Sequence, residues 1–181
     1  MDEAGYQAKT RAKAILAVYL ILCDAREGVL IARRCNTGYE DGKYNFPSGH
    51  VEEGESPLEA LIRETEEELG KPIADELRQQ APLFRHVSHR PKHDKTGDRV
   101  DFYFVHETLG SKEKVINGEP EKCDELKWVY INKPLPENFV AHNRVAFEAI
   151  FCKGNGREGR GVSEYSELSI DWLKTNGLYK L

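Results

Sequence analysis

The longest apolar run in the chain, Ala14 to Cys23, is broken only by Tyr19. It is too short to span a bilayer, and Lys13 to Cys23 reads as a long buried β-strand. Asp24-Ala25-Arg26-Glu27-Gly28 is a turn, after which Val29 to Ala32 pairs back as a hairpin. Asn36 to Lys43, with Gly38 and Gly42, reads as a loop. Further on, Leu83 to His89 and Val100 to His106 are expected as strands, with Arg90 to Asp98 a polar loop between them. Leu126, Trp128 and Tyr130 alternate as in another strand, and Phe139 to Phe151 is expected as a helix with Val140, Val145, Ala146, Ala149 and Ile150 inward. This divides the chain into a polar lead-in over 1–12, one domain over 13–152 and a tail over 153–181. Within the tail, Lys153 to Gly161 is a Gly-rich connector and Glu164 to Leu173 a terminal helix. There is no internal repeat.

The best-marked helix is Pro57 to Leu69. Ser56 caps it, Glu59 completes an S-x-x-E capping box, Pro57 takes the first helical position, and Gly70 ends it. Leu58, Leu61, Ile62, Thr65 and Leu69 share a face that should pack on a sheet. On another side Glu64, Glu67 and Glu68 project together, because residues three and four apart are neighbours; Glu59 and Glu66 point elsewhere and read as solvated surface. Like charges at that spacing repel by roughly 0.2–0.5 kcal/mol per pair. A divalent cation would compensate them, and hard oxygen ligands favour Mg²⁺ or Mn²⁺ over zinc. With a phosphate completing the coordination, such a site can activate a water and neutralise a leaving phosphate, which diphosphate hydrolysis requires.

Composition narrows the partners. A chain of 181 residues fits one domain, and 26 Lys plus Arg against 31 Asp plus Glu leaves a net charge of −5. That field disfavours a nucleic-acid polymer but not a small phosphorylated molecule, since a bound cation can reverse the local sign. Cys23, Cys35, Cys123 and Cys152 form no C-x-x-C pair and read as reduced thiols of a cytoplasmic protein, with no leader and no membrane segment.

The stretch Gly49, five residues, Glu55, seven residues, then Arg63-Glu64-Thr65-Glu66-Glu67-Glu68-Leu69-Gly70 resembles the Nudix box of the Nudix hydrolase (MutT-like) family. Thr65 and Lys71 stand where that pattern usually has aliphatic residues; neither is a catalytic position. The resemblance implies an α/β fold, an α/β/α sandwich around a mixed β-sheet. It also implies Glu67 and Glu68 as principal metal ligands, Glu64 as a further ligand or the general base, and the Gly49 carbonyl as a ligand. Glu55 and Arg63 would orient the loop and helix. A loop carboxylate, one of Glu119, Glu121, Asp124 and Glu125, either adds a ligand or is a solvated turn. Arg33, Arg34, Tyr39, Arg90 and Arg99 flank loops near the expected cleft and are the candidates for contacting phosphate or base. The implied activity is divalent-metal-dependent hydrolysis of a diphosphate linkage in a nucleoside triphosphate-like or other nucleoside diphosphate-linked small molecule. In the family, a proline or a tyrosine a little over a dozen residues past the box accompanies ADP-ribose or dinucleoside polyphosphate substrates, and Leu83 to His89 holds neither. The alternatives are ADP-ribose or nucleotide-sugar hydrolysis, isoprenoid diphosphate isomerisation, and, in another class, a catalytically silent nucleotide-sensing or protein-binding module. Two further patterns are set aside. His86, His89 and His93 lack cysteines at ligand spacing for zinc, and the literal G-x-G-x-x-G at 154–159 opens no βαβ unit.

Overall fold

The computed structural model describes residues 13–94, 97–108, 110, 113–131 and 133–151. The proposed lead-in, connector, terminal helix and Cys152 lie outside them. The apolar run becomes β1 (Ala14–Asp24), the centre of a mixed sheet. Along its whole length β1 pairs parallel with β6 (Gly97–Thr108), from Ala14↔Asp98 to Asp24↔Thr108. Its other side is shared. β4 (Ser48–His50) takes Ala17 to Tyr19, and β2 (Gly28–Arg34) takes only Cys23 and Asp24, so the expected hairpin is closed by two residue pairs. β2 goes on to pair with β3 (Tyr44–Asn45) and β7 (Cys123–Val129), and β5 (Leu83–Asp94) pairs antiparallel with β6 at the opposite edge.

Side chains alternate across a strand, and both faces of β1 are covered. Val18, Leu20 and Leu22 pack beneath α1 (Pro57–Leu69) and α2 (Lys71–Gln79), against Ala60, Leu61, Leu69, Ile73 and Leu77. Tyr19, Ile21 and Cys23 face α3 (Ala141–Phe151), against Ala146, Phe147, Ile150 and Phe151. Helices on both faces of a mixed sheet make the expected α/β/α sandwich. A strand buried on both sides has to be apolar throughout, which is why β1 does not alternate in sequence.

Four local expectations are corrected. The expected loop over Arg90 to Asp98 is strand where it is described: β5 runs on to Asp94, β6 starts at Gly97, and the ladder continues through Arg90↔Arg99 to Asp94↔Gly97. Within it Arg90 lines a cleft and is held by Asp101 across the ladder. Gly70 does end α1, but a second helix starts at once, with Pro72 in its first turn where a missing N–H is harmless. In α3, Val145 is 64% exposed and Phe147 is buried instead, while Asn143 is buried at the same face through polar partners. β7 ends at Val129, leaving Tyr130 exposed. Among the described residues no helix is long and apolar enough to cross a membrane.

Candidate active site

α1 opens as its sequence dictates: the Glu59 amide donates to the Ser56 hydroxyl and the Ser56 amide to the Glu59 carboxylate. A rigid start fixes the rotation of the helix and so the direction of its glutamates. Thr65 is buried, with its hydroxyl donating to the Leu61 carbonyl at 2.7 Å, so the polar atom is satisfied inside the helix where the pattern expects an aliphatic side chain. Glu66 is turned away, paired with Arg78 of α2.

Arg63 ties the helix to the loop before it. Its Nε and Nη2 donate to the two Glu55 oxygens at 2.8 and 3.0 Å, and Nη2 also donates to the His50 carbonyl at 2.9 Å. This fork holds the Glu55 carboxyl down at about 2, helped by the Glu52 amide. Nη1 donates to Glu64 at 2.8 Å and lies 3.6 Å from Glu67. Glu68 accepts from the Ser48 amide at 2.8 Å. Gly49 lies against Glu64: a Cβ built on it would fall 1.7 Å from the Glu64 carboxyl carbon, so only glycine lets strand and carboxylate approach this closely.

Glu64 and Glu68 are crowded and desolvated, while Glu67 is exposed. Burial pushes Glu68 up to about 8, and the charges of Glu64 and Glu119 add to the rise against the Ser48 amide. Glu64 is raised in the same way, by burial first and then by Glu67 and Glu119, against the pull of Arg63. Glu119 arrives on the β6–β7 loop, which is sewn to the end of α1: the Ile116 amide donates to the Leu69 carbonyl and the Gly118 amide to the Glu68 carbonyl. A Cβ on Gly118 would sit 1.9 Å from the Glu67 carbonyl oxygen. Glu119 carries Lys122 at 2.6 Å. Asp124 and Glu125 instead hold Arg33, and Glu125 also accepts from the Tyr44 hydroxyl. The Glu121 carbonyl accepts from Asn36. Among the described residues no three His, Cys, Asp or Glu side chains already converge as a metal cage.

These groups open into one cleft of about 630 Å³, which Arg33, Arg34, Tyr39, Arg90 and Arg99 also line. That volume suits a small-molecule ligand. The arginines differ. Arg33 faces Asp124, and Arg90 makes two bonds, 2.6 and 3.2 Å, to the buried Asp101. Arg34 donates to the Tyr39 carbonyl and the Thr37 hydroxyl and lies 5.7 Å from the Tyr39 ring centroid. The sequence did not single out the polar floor: Tyr19 stacks on Tyr103 at 4.8 Å, the Tyr103 hydroxyl donates to Asn143, and Asn143 donates to Asn45. Its available signal was a tyrosine inside an aliphatic run and an aspartate inside an apolar strand. Of the histidine series, His86 lies beside Tyr103 and His89 pairs with Asp98.

A sequence model of the NUDIX domain matches residues 13–150. The chain is 33% identical over 129 residues to an RNA pyrophosphohydrolase of Teredinibacter turnerae, covering 65% of this chain and 72% of that one. It is 40% identical over 50 residues to an 8-oxo-dGTP diphosphatase of Proteus vulgaris, covering 28% of this chain and 45% of that relative, less than half its length. Among solved structures, a MutT protein of Methanosarcina mazei aligns with a TM-score of 0.61 at 23% identity, over 78% of this chain and 96% of that one, a likeness of fold.

Proposed function

Given that the chain belongs to the Nudix family, we propose that it hydrolyses a diphosphate linkage in a nucleoside triphosphate-like small molecule, with Mg²⁺ or Mn²⁺ as cofactor. The observation that carries this reading is the desolvated carboxylate cluster on one helix face, with Gly49 making room for one of its members. Such a cluster is short of positive charge and offers only hard oxygen donors, which fits a divalent oxygen-seeking cation. Glu64, Glu67, Glu68 and the Gly49 carbonyl would hold it, and Glu119 is the loop carboxylate best placed to join them. When bound, the cation supplies neutralisation of diphosphate charge and acidification of a nearby water.

The remaining work falls to the chain. Glu64, held above the ordinary carboxylate range by burial, is suited to accept the proton of an attacking water while Arg63 fixes its orientation. Glu55 and Arg63 keep the loop and helix in register. Arg34 meets phosphate, and the Tyr39 ring beside it offers a face for a base. Arg33, Arg90 and Arg99 complete the basic walls of the cleft.

The test is a panel of a nucleoside triphosphate, ADP-ribose, a nucleotide sugar and a 5′-triphosphorylated oligonucleotide, assayed with Mg²⁺. The oligonucleotide is included because a 33%-identical relative is named for RNA. We expect metal-dependent release of phosphate or pyrophosphate, greatest with the triphosphate, lost by at least a hundredfold in Glu67→Gln and little changed in Glu66→Gln. No metal-dependent turnover on any member would leave the silent nucleotide-sensing module as the better account.

A further inference from the structure

Sorting the cleft arginines by partner leaves two that face no carboxylate: Arg34, which donates to the Tyr39 carbonyl and the Thr37 hydroxyl, and Arg99. Arg33, Arg63 and Arg90 each face carboxylates. Arg99 does not: its Nη2 donates to His50 Nε2 at 2.9 Å, no carboxylate pairs with it among the described residues, and its Nε is buried without a hydrogen-bond partner. A guanidinium presents its donors as a planar fork, and here that fork is largely unused.

The sheet makes the placement unfavourable unless something compensates it. Arg90 and Arg99 are direct cross-strand partners, and like charges opposite one another destabilise an antiparallel pair. Asp101, two residues along on the same face, is already committed to Arg90 through both oxygens. The register also leaves space. His50 pairs with Ala17 and Ala17 with Asp101, so the smallest side chain of the row lies between His50 and Asp101, and Ala17 lines the cleft. His50 links the two regions, its carbonyl accepting from Arg63 and its ring from Arg99.

Resting on the hydrolase reading above, we infer that Arg99, aligned by His50, is an anion subsite on the sheet floor that takes phosphoryl oxygens of the substrate not engaged at the carboxylate cluster. The fork suits two oxygens of one phosphate. The substrate class this selects carries an anionic group beyond the diphosphate that is hydrolysed, as a nucleoside triphosphate does and a nucleotide sugar with an uncharged sugar does not.

Inorganic phosphate is the probe, titrated into the metal-free protein in EDTA, where the glutamates repel it and no hydrolysis intervenes. Arg99→Gln should weaken phosphate binding about tenfold, the scale of a lost charge-assisted hydrogen-bond pair. Arg99→Lys, which keeps the charge and loses the fork, should fall between, and Glu66→Gln should bind as wild type. With Mg²⁺, Arg99→Gln should raise KM for a nucleoside triphosphate at least fivefold at nearly constant kcat, with little change for a nucleotide sugar. Melts establish that each variant is folded; should Arg99→Gln not fold, Arg99→Lys decides by the same titration. A wild-type protein that binds no phosphate without metal, or an Arg99 variant that binds it as wild type, overturns the subsite whatever the hydrolysis assay shows. Phosphate binding lost in Arg99→Gln, with no metal-dependent turnover in wild type, would uphold the subsite and overturn the hydrolase reading.

Discussion

Glu68→Gln gives the sharpest test of the electrostatics, because activity and metal-free stability should move in opposite directions. In the metal-free fold Glu68 rises from 4.5 to about 8. Between those values the folded state holds a proton that the unfolded chain releases, so the contribution of Glu68 to wild-type stability is full below about pH 4.5 and is lost as pH rises through 8. At about 1.4 kcal/mol per pH unit the ceiling is about 5 kcal/mol. Hydration from the open cleft and relaxation around the charge bring the expected loss nearer 2 kcal/mol. Glutamine has no charge to desolvate and keeps an oxygen to accept from the Ser48 amide. At pH 8.5 in EDTA the variant should therefore melt about 4–8 °C above wild type, at about 2–4 °C per kcal/mol for a chain of this size, and at pH 5 the two should nearly coincide. Adding Mg²⁺ should raise the wild-type Tm by mass action and the variant's much less, while hydrolysis in the variant falls by at least a hundredfold. A wild-type Tm in EDTA that does not fall between pH 5 and 8.5, or a variant that follows wild type at both, would refute the reasoning.

Gly49→Ala should keep the fold, since the nearest obstacles to the new methyl are side-chain atoms of Glu64 rather than backbone; kcat/KM should drop at least tenfold with the Tm within a few degrees, and full turnover would remove the close-packing argument. Arg63→Ala should fold but need more Mg²⁺ for half-maximal rate, because Glu55, Glu64 and the His50 carbonyl lose their common donor; an unchanged Mg²⁺ curve counts against it. The same variant should lose an acid-side dependence. The depressed Glu55 stabilises wild type above about pH 4.5 and that contribution is lost as pH falls towards 2, so the gap between wild-type and variant melts should narrow on acidification.

What could be read from the sequence follows from the range of the interactions. α1 was legible at both ends and on both working faces, because the capping box, Pro57, Gly70 and the glutamate spacing act within a few residues. The Arg63–Glu55 fork spans eight positions and was legible through the box. α2 was not, although Ile73, Ala74 and Leu77 lie at helical spacing, because Gly70 and Pro72 also spell a stop. The error over Arg90 to Asp98 has a different origin. Polar residues were taken as a mark of solvent, whereas Arg90 is held by an aspartate 11 positions away that only strand pairing brings across.

The same limit explains why the candidate arginines could be named and not ranked. Each looked equally able to meet a phosphate, and what separates them is the partner the fold gives each: carboxylates for Arg33 and Arg90, a carbonyl and a hydroxyl for Arg34, and a histidine for Arg99. Glu119 is the converse case. It lies 50 or more positions from the helix carboxylates, and nothing local distinguishes it from Glu121, Asp124 or Glu125. Its place is set by Gly118, whose missing side chain lets the loop press its amide onto the Glu68 carbonyl and its Cα against the Glu67 carbonyl. Two glycines thus do complementary work: Gly49 admits a helix carboxylate towards the strand, and Gly118 brings a loop to the helix end. The charge density of the cluster is a consequence of backbone approach more than of the number of glutamates in the chain.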